Sequence, residues 1–539
     1  MNAAMSHPNI YLLILWNQHQ PRYFKDPTTG EYTKPWVRLH CTKDYYDMAA
    51  MLEKYPQVHC VINLTPSLIS QIRDMIAMYE SGKPTDIYMR LTLKPADALT
   101  DSEKLFIAEN FFSANWRNMI DRYPRYHELR LKRRFKPDGS LDVEATLNNY
   151  TVQDWRDLQV WFNLTWVDPS FYDGTVELPT GKHVTVRHLI EKGCNFTEHD
   201  KRELMDTHIE IMRAVLPIHK KLRDSGQIEL VTTPFYHPIL PLLCDNGMGF
   251  RYPEDADTQV RKAITFYKEI FGTPPTGMWP AEGAVSESVI PIFARNGIKW
   301  IASDEQVLAR TLGKGYCSAH EKYRPYIAVS DTYSVYIIFR DTRLSDAIGF
   351  VYSGMDPQAA VDDFIANLES IRRQFVDSKY PPLVSVILDG ENPWENYPND
   401  GRDFLNELYS RLQNIDWITP VTLTEFLSMF TVRDTLYNLH AGSWIAASFD
   451  IWVGEPEENL AWEYLLRVRL DMESWANVPA ASWEAIYAAE GSDWFWWYGR
   501  DQYARDERVF DEMFRNTLKT VYLYAGKRPP EFLDERIIK

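Results

Sequence analysis

Short apolar runs rich in β-branched residues recur along the chain at 10–16, 58–64, 228–232, 299–302, 334–339 and 384–388, and each ends in polar residues. Runs of this length without alternation fit strands buried on both faces, as in a parallel sheet or barrel. Helical patterns lie between them at 43–54, 197–223, 255–270, 286–296 and 357–375, with Gly226 and Gly297 as stop signals. The βα alternation predicts an α/β barrel and not a sandwich.

Two regions break the rhythm. The stretch 80–198 is long, aromatic and charged with few strand candidates, and it reads as a mostly helical insertion after the second strand. Beyond about residue 420 the strands stop and helical spacing takes over, with Ala461, Leu465, Val468, Met472 and Trp475 on one stripe and Phe510, Met513, Phe514 and Val521 on another. The expected division is a catalytic barrel over 1–420, carrying the insertion, and a helical domain over 421–539 that completes the cleft.

Composition narrows the function. The chain has 539 residues, 45% hydrophobic and 25% charged, ample for a large barrel plus an accessory domain. A formal net charge of -17 supplies no basic field for phosphates, so neither nucleic acid nor an anionic membrane is an expected partner, whereas a neutral polymer is tolerated. The basic stretch 122–136, with Arg125, Arg130, Lys132, Arg133, Arg134 and Lys136, reads as a solvated face. Five scattered cysteines without C-x-x-C spacing suit reduced thiols and give no zinc motif. The apolar run at 10–16 lacks a basic n-region and a cleavage site, and no run approaches the roughly 18 apolar residues that cross a membrane. A cytoplasmic protein is expected; oligomeric state is left open.

Barrel chemistry gathers where strands end, because the strand ends are rigid while the following loops vary. Four loops concentrate polar residues there. In Asn17-Gln-His-Gln-Pro21, His19 suits a substrate hydroxyl; a metal would call for His-x-Asp or His-x-His, and glutamines fill those places. In Thr232-Thr-Pro-Phe-Tyr-His-Pro-Ile239, two prolines stiffen a loop that would aim Tyr236 and His237 at the pocket. In Met278-Trp-Pro-Ala-Glu-Gly-Ala-Val-Ser286, Glu282 sits between an aromatic wall, Trp279, and a glycine, a setting that suits a nucleophile; Ser286 is the expected cap of the next helix. In Leu388-Asp-Gly-Glu-Asn-Pro-Trp-Glu-Asn-Tyr397, crowded acids repel unless some are protonated, and a raised carboxyl pKa is what a general acid needs. Spacing leaves Asp389 and Glu391 as equal candidates for that acid, and such a cluster also suits Ca²⁺.

These four elements, in this order, resemble glycoside hydrolase family 57, and the likeness runs from residue 10 to about 500. The resemblance implies a distorted (β/α)7 barrel with a C-terminal helical bundle and a retaining mechanism on α-glucosidic bonds, without metal or other cofactor. It implies Glu282 as nucleophile, Asp389 as acid/base, His19 and His237 as contacts to the sugar being cleaved, Trp279 as an aromatic wall, and Glu391 as a carboxylate behind the reacting pair. Further runs look like the family at Gly442-Ser-Trp444, Phe449-Asp-Ile-Trp452 and Ala489-Glu-Gly-Ser-Asp-Trp-Phe-Trp-Trp-Tyr-Gly499. Aromatic rings there can stack on glucose while acids bind hydroxyls, and Trp444, Asp450, Asp493, Trp494 and, in the fourth loop, Trp394 are the expected cleft residues. The two carboxylate motifs look most like the amylopullulanase group, which implies cleavage of α-1,4 and also α-1,6 bonds. A 4-α-glucanotransferase or branching enzyme would use the same covalent intermediate; a non-catalytic glucan-binding protein and a metal-dependent hydrolase are the rivals from other classes.

Overall fold

The computed structural model describes residues 8–376, 378, 380–500 and 507–538. Seven parallel strands form the frame: β1 (Ile10–Gln18), β2 (Cys60–Leu64), β3 (Ile228–Val231), β4 (Gly277–Met278), β5 (Trp300–Asp304), β6 (Tyr333–Arg340) and β7 (Leu383–Asp389). β1 is flanked by β7 and β2, β2 by β3, and β5 by β4 and β6.

The ring closes unevenly. β3 meets β4 through one bridge, Thr232 to Met278, with the Trp279 amide donating to the Thr232 carbonyl at 2.9 Å. β6 meets β7 through the Asp341 amide on the Ser385 carbonyl at 2.8 Å and Arg340 Nε on the Ile387 carbonyl at 2.7 Å. This is the distorted (β/α)7 barrel that the sequence pattern and the family resemblance together lead one to expect.

Strand alternation divides the apolar residues into two sets. Leu13, Leu15, Val61, Val231, Trp300, Ala302, Ile338, Leu383 and Ile387 pack in the lumen with Trp279, and Val421, Leu423 and Phe426 close its lower end. Leu12, Ile14, Trp16, Ile62, Val384 and Val386 face the surrounding helices. Gly277 is required at β4, since a Cβ there would lie 2.0 Å from Cε2 of the buried Trp300 ring.

Helices start where the sequence provides caps. Thr65 accepts from the Leu68 amide ahead of Pro66–Glu80, Thr197 forms a capping box ahead of Glu198–Asp224, and Asp356 caps Pro357–Arg373. The Ser286 cap does not form. The chain enters Ile290–Arg295 through a 3₁₀ turn, Glu287–Val289, and the Ser286 hydroxyl turns to Ser288 Oγ at 2.7 Å.

Residues 80–198 carry mostly helices, together with a two-stranded hairpin of Val176–Glu177 and His183–Val184. The basic stretch is neutralised internally: Arg125 meets Asp154 and Asp157, Lys132 meets Asp154, and Arg130 meets Asp121. Strands do not stop at 420, because Thr435–Leu436 pairs with Tyr326–Ser330, which runs antiparallel to β6. The helices Pro456–Glu473, Ala480–Ala489, Ser492–Trp496 and Glu507–Tyr524 then pack together. Among the described residues no helix is long and apolar enough to cross a membrane.

Candidate active site

A cleft of about 700 Å³ opens at the carboxyl ends of the strands. Six of the seven strands contribute at or just past their ends, β2 being the exception: His19 after β1, His237 after β3, Glu282 after β4, Gln306 after β5, Arg340 and Thr342 at β6, and Asp389 with Glu391 at β7. The C-terminal segment supplies the opposite side with Trp444, Asp493, Trp496, Trp497 and Phe510.

Two of these residues hold a left-handed backbone that non-glycine residues rarely adopt, Glu282 at φ 57° and His237 at φ 60°. Each such conformation costs roughly 1–3 kcal/mol and persists only where the surroundings impose it. Both are pinned in the same way. The Trp444 amide donates to the Glu282 carbonyl and the Ser492 amide to the His237 carbonyl, each at 2.9 Å. The C-terminal segment therefore fixes the backbone of two barrel loops as well as roofing the cleft.

Glu282 is 15% exposed. Its Oε2 accepts from the Trp444 indole Nε1 at 2.9 Å, and Ser492 Oγ donates to Oε1 at 3.4 Å. Burial, with the charges of Asp389 and Asp493 adding to it, pushes the Glu282 carboxyl up to about 8, against the smaller opposing pull of His19 and of the indole N–H. Asp389 accepts two side-chain amides, Asn17 Nδ2 on Oδ1 at 3.1 Å and Asn392 Nδ2 on Oδ2 at 2.9 Å. Behind it the buried Glu391 takes the His19 backbone amide at 3.4 Å. Burial first, and the neighbouring Asp389 and Asp44, hold Glu391 well above the usual carboxylate range.

The two histidines stack with ring centroids 3.7 Å apart and planes 17° from parallel. His19 Nε2 meets Asp493 Oδ1 at 2.7 Å. Burial depresses its pKa, but Asp493, Glu282 and Asp389 outweigh burial and raise it overall. Burial and the adjacent His19 drive His237 well below the ordinary histidine value, so the two stacked rings are shifted in opposite directions. His237 Nδ1 meets Ser492 Oγ at 2.9 Å, and its Nε2 has no protein partner. His19, His237 and Asp493 bring ligand atoms within 4.8 Å of one another. Near-parallel stacked rings send their in-plane lone pairs in similar directions and not toward one ion, which fits a polar floor better than a metal centre.

Of the residues expected from sequence, Glu282, Asp389, His19, His237, Glu391, Trp444 and Asp493 line this cleft. The other five do not, and each has a structural place. Tyr236 points its hydroxyl at Glu484 Oε2, 2.7 Å away. Trp279 is fully buried in the lumen, with its ring edge-on to Trp444 at 5.3 Å, so it backs the wall that Trp444 presents. Trp394 is buried with its Nε1 on the Gly390 carbonyl at 2.8 Å, bracing the loop after β7. Trp494 is buried with its Nε1 on the Ala488 carbonyl at 2.7 Å. Asp450 lies on the surface, outside the cleft lining.

Several lining or bracing groups escaped the sequence reading. Asn17 and Asn392 sit inside motifs already singled out, and Ser492 adjoins Asp493. Arg340, which reaches Asp304 Oδ2 at 3.3 Å with its guanidinium 5.5 Å from the Trp444 ring, ends an apolar run as the other site loops do. Phe350, 80% exposed at the mouth, carries no local signal.

Comparison with known proteins places this geometry. A family model described as glycosyl hydrolase family 57 matches residues 13–439. An alpha-amylase of Dictyoglomus thermophilum is 33% identical over 86 residues, a stretch covering 16% of this chain and 11% of that relative's length. A branching enzyme from Thermococcus kodakaraensis superposes with a TM-score of 0.61 at 15% identity, over 96% of this chain and 90% of its own. The alpha-amylase AmyC from Thermotoga maritima gives 0.59 at 16% identity, over 98% and 96%. At such identities the superpositions show the fold alone, whereas the family match spans most of the chain. This chain is therefore an enzyme belonging to glycosyl hydrolase family 57.

Proposed function

We propose that the enzyme breaks α-1,4-glucosidic bonds in α-glucans with retention of configuration, through a covalent glycosyl-enzyme, with Glu282 as nucleophile and Asp389 as acid/base. The observation that carries this is the pair itself: two carboxylates at the ends of β4 and β7, in one cleft, close enough for the charge of one to raise the other. Asp389 donates its proton to the glycosidic oxygen as Glu282 attacks the anomeric carbon; Asp389 then takes a proton from the acceptor hydroxyl as the acceptor displaces Glu282. The Trp444 N–H and the Ser492 hydroxyl orient the Glu282 oxygens. The unpartnered His237 Nε2 is free to meet a sugar hydroxyl, and His19, with Nε2 on Asp493 and Nδ1 on Thr65, stacks against that ring and holds it in place.

The substrate class follows from the relatives, whose names are those of an alpha-amylase and a branching enzyme. Those names also set the open choice, because water and a sugar hydroxyl can both release the same intermediate. Product analysis on maltooligosaccharides, amylose and pullulan separates them. Growth in reducing ends means hydrolysis, redistribution of chain lengths at constant reducing ends means 4-α-transfer, and new α-1,6 linkages mean branching. No change in any glucan would overturn the reading.

One observation favours exchanged roles. With its pKa held at about 8, Glu282 keeps the proton in the empty cleft near neutral pH. The assignment above requires the proton to pass to Asp389 when a glycosidic oxygen lies against it. Azide rescue distinguishes the two. A variant lacking the nucleophile gives β-glucosyl azide by direct displacement, and one lacking the acid/base gives α-glucosyl azide from the covalent intermediate. An α product from Glu282→Ala would exchange the roles.

A further inference from the structure

Away from the cleft, three aspartates from distant parts of the chain meet between the barrel and the insertion. Asp47 opens the helix Asp47–Leu52 after β1, Asp168 follows the insertion helix Val152–Leu164, and Asp400 lies in the loop after β7. One carboxylate oxygen of each lies within 4.8 Å of one from both others.

The placement is imposed by the backbone. Asn399 and Asp400 both take left-handed conformations, φ 55° and 59°, and Gly401 follows at φ 67°, where a Cβ would strike the Trp394 ring at 2.3 Å. The Asp168 amide is held by the Thr42 carbonyl at 2.9 Å, and its Oδ1 accepts the Ser170 amide at 2.8 Å. Two oxygens are left over: Asp47 Oδ1 and Asp400 Oδ2 are buried without a hydrogen-bond partner, and Asp47 as a whole is only 9% exposed.

The local charge does not balance. Lys43 reaches Asp400 Oδ1 at 2.7 Å and Asp44 Oδ1 at 2.6 Å, so one ammonium serves two carboxylates. His40, beside Asp44 at 2.6 Å, is driven down to about 3 by burial and by Lys43, and adds no charge. Arg402 is already paired with Asp173. Among the described residues Asp47 has no ion-pair partner. Unmatched buried carboxylate oxygens facing one another are costly unless protons or a cation lie between them.

We propose that Asp47, Asp168 and Asp400 form a binding site for a hard divalent cation. The donors are all oxygen, which selects Ca²⁺, Mg²⁺ or Mn²⁺ over zinc. A cavity of about 20 Å³ lined by Lys43, Trp394, Tyr397 and Asp400 adjoins the cluster and has room for a water to join the coordination. Burial first, with neighbouring carboxylates, lifts Asp168 and Asp400 to about 7 and holds Asp47 well above the usual carboxylate range, in keeping with the unmatched oxygens. A bound ion ties the insertion and the loop after Asp389 to the first barrel helix.

Chelator-treated full-length protein at about pH 8, put through equilibrium dialysis with metal analysis and thermal melts, tests this. The expected result is one Ca²⁺, Mg²⁺ or Mn²⁺ ion per chain, a Tm raised by several degrees, and loss of both effects in Asp400→Asn. Terbium luminescence sensitised by Trp394 and displaced by Ca²⁺ reads the wild-type site without a variant. No uptake of Ca²⁺, Mg²⁺ or Mn²⁺ at millimolar concentration, or equal uptake by Asp47→Asn and Asp400→Asn, overturns the site. None of these readouts depends on which carboxylate is the nucleophile.

Discussion

Replacing Trp444 with Phe removes one hydrogen bond from Glu282 and keeps most of the ring. The bond is 2.9 Å long, from the indole N–H to Oε2 of a carboxylate that is 15% exposed, so solvent replaces little of it. A hydrogen bond to a charged group is worth ~1.5–3 kcal/mol, and one pKa unit is ~1.4 kcal/mol, so losing it raises the Glu282 pKa by ~1–2 units. The direction is fixed, because the N–H stabilises the ionised form only. Because Glu282 holds the proton near neutral pH, its pKa sets the basic limb of kcat/KM, which moves up by that amount. If Glu282 attacks as an anion while the proton sits on Asp389, that form becomes ~10–100-fold scarcer and the optimum falls with it. The assay is the kcat/KM profile on a chromogenic maltooligosaccharide from about pH 5 to about pH 11, where a pure binding defect scales all points alike and leaves the limbs in place. An upward shift of the basic limb with an undiminished optimum would mean that Glu282 works protonated. Limbs that shift by less than ~0.3 unit would refute the electrostatic account.

Asp493→Asn works in the opposite sense: it removes a charge that raises Glu282, so the basic limb moves down, and it lowers the pKa of His19 by taking away its 2.7 Å partner. For stability, Glu282 has a folded pKa of about 8 against an ordinary 4.5, so the wild type loses stability as pH rises between those values and is level above them. Glu282→Gln is therefore expected to melt together with wild type near pH 4 and above it at pH 9, by an amount on the order of a few kcal/mol; equal melting at both would refute the burial cost. Gly277→Ala puts a methyl 2.0 Å from the Trp300 ring and is expected to cost ~1–3 kcal/mol or more in a denaturation series, with unchanged stability refuting the packing.

The sequence by itself determined the strands and the loops that matter. Unbroken apolar runs at 10–16, 228–232 and 384–388 can only be buried on both faces, and the polar residues ending them fall at the carboxyl edge of a parallel barrel, which is where His19, His237 and Asp389 stand. β4 was not legible as a strand, because two residues, one of them a glycine, carry no periodicity; its place comes from the Trp300 ring that Gly277 admits. The tryptophans mark the limit most clearly. Trp279, Trp394, Trp444 and Trp494 look alike in sequence, yet only Trp444 faces the cleft, since the others find backbone or core partners that lie far away along the chain or behind the wall. Tertiary structure alone decided the protonation landscape. Asp389 and Asp493 raise Glu282 from positions more than a hundred residues away, and Asp47, Asp168 and Asp400 become one cluster only when three distant turns close. Local pattern fixes which residues stand at strand ends; desolvation and long-range charge, which set what those residues do, exist only once the chain is folded.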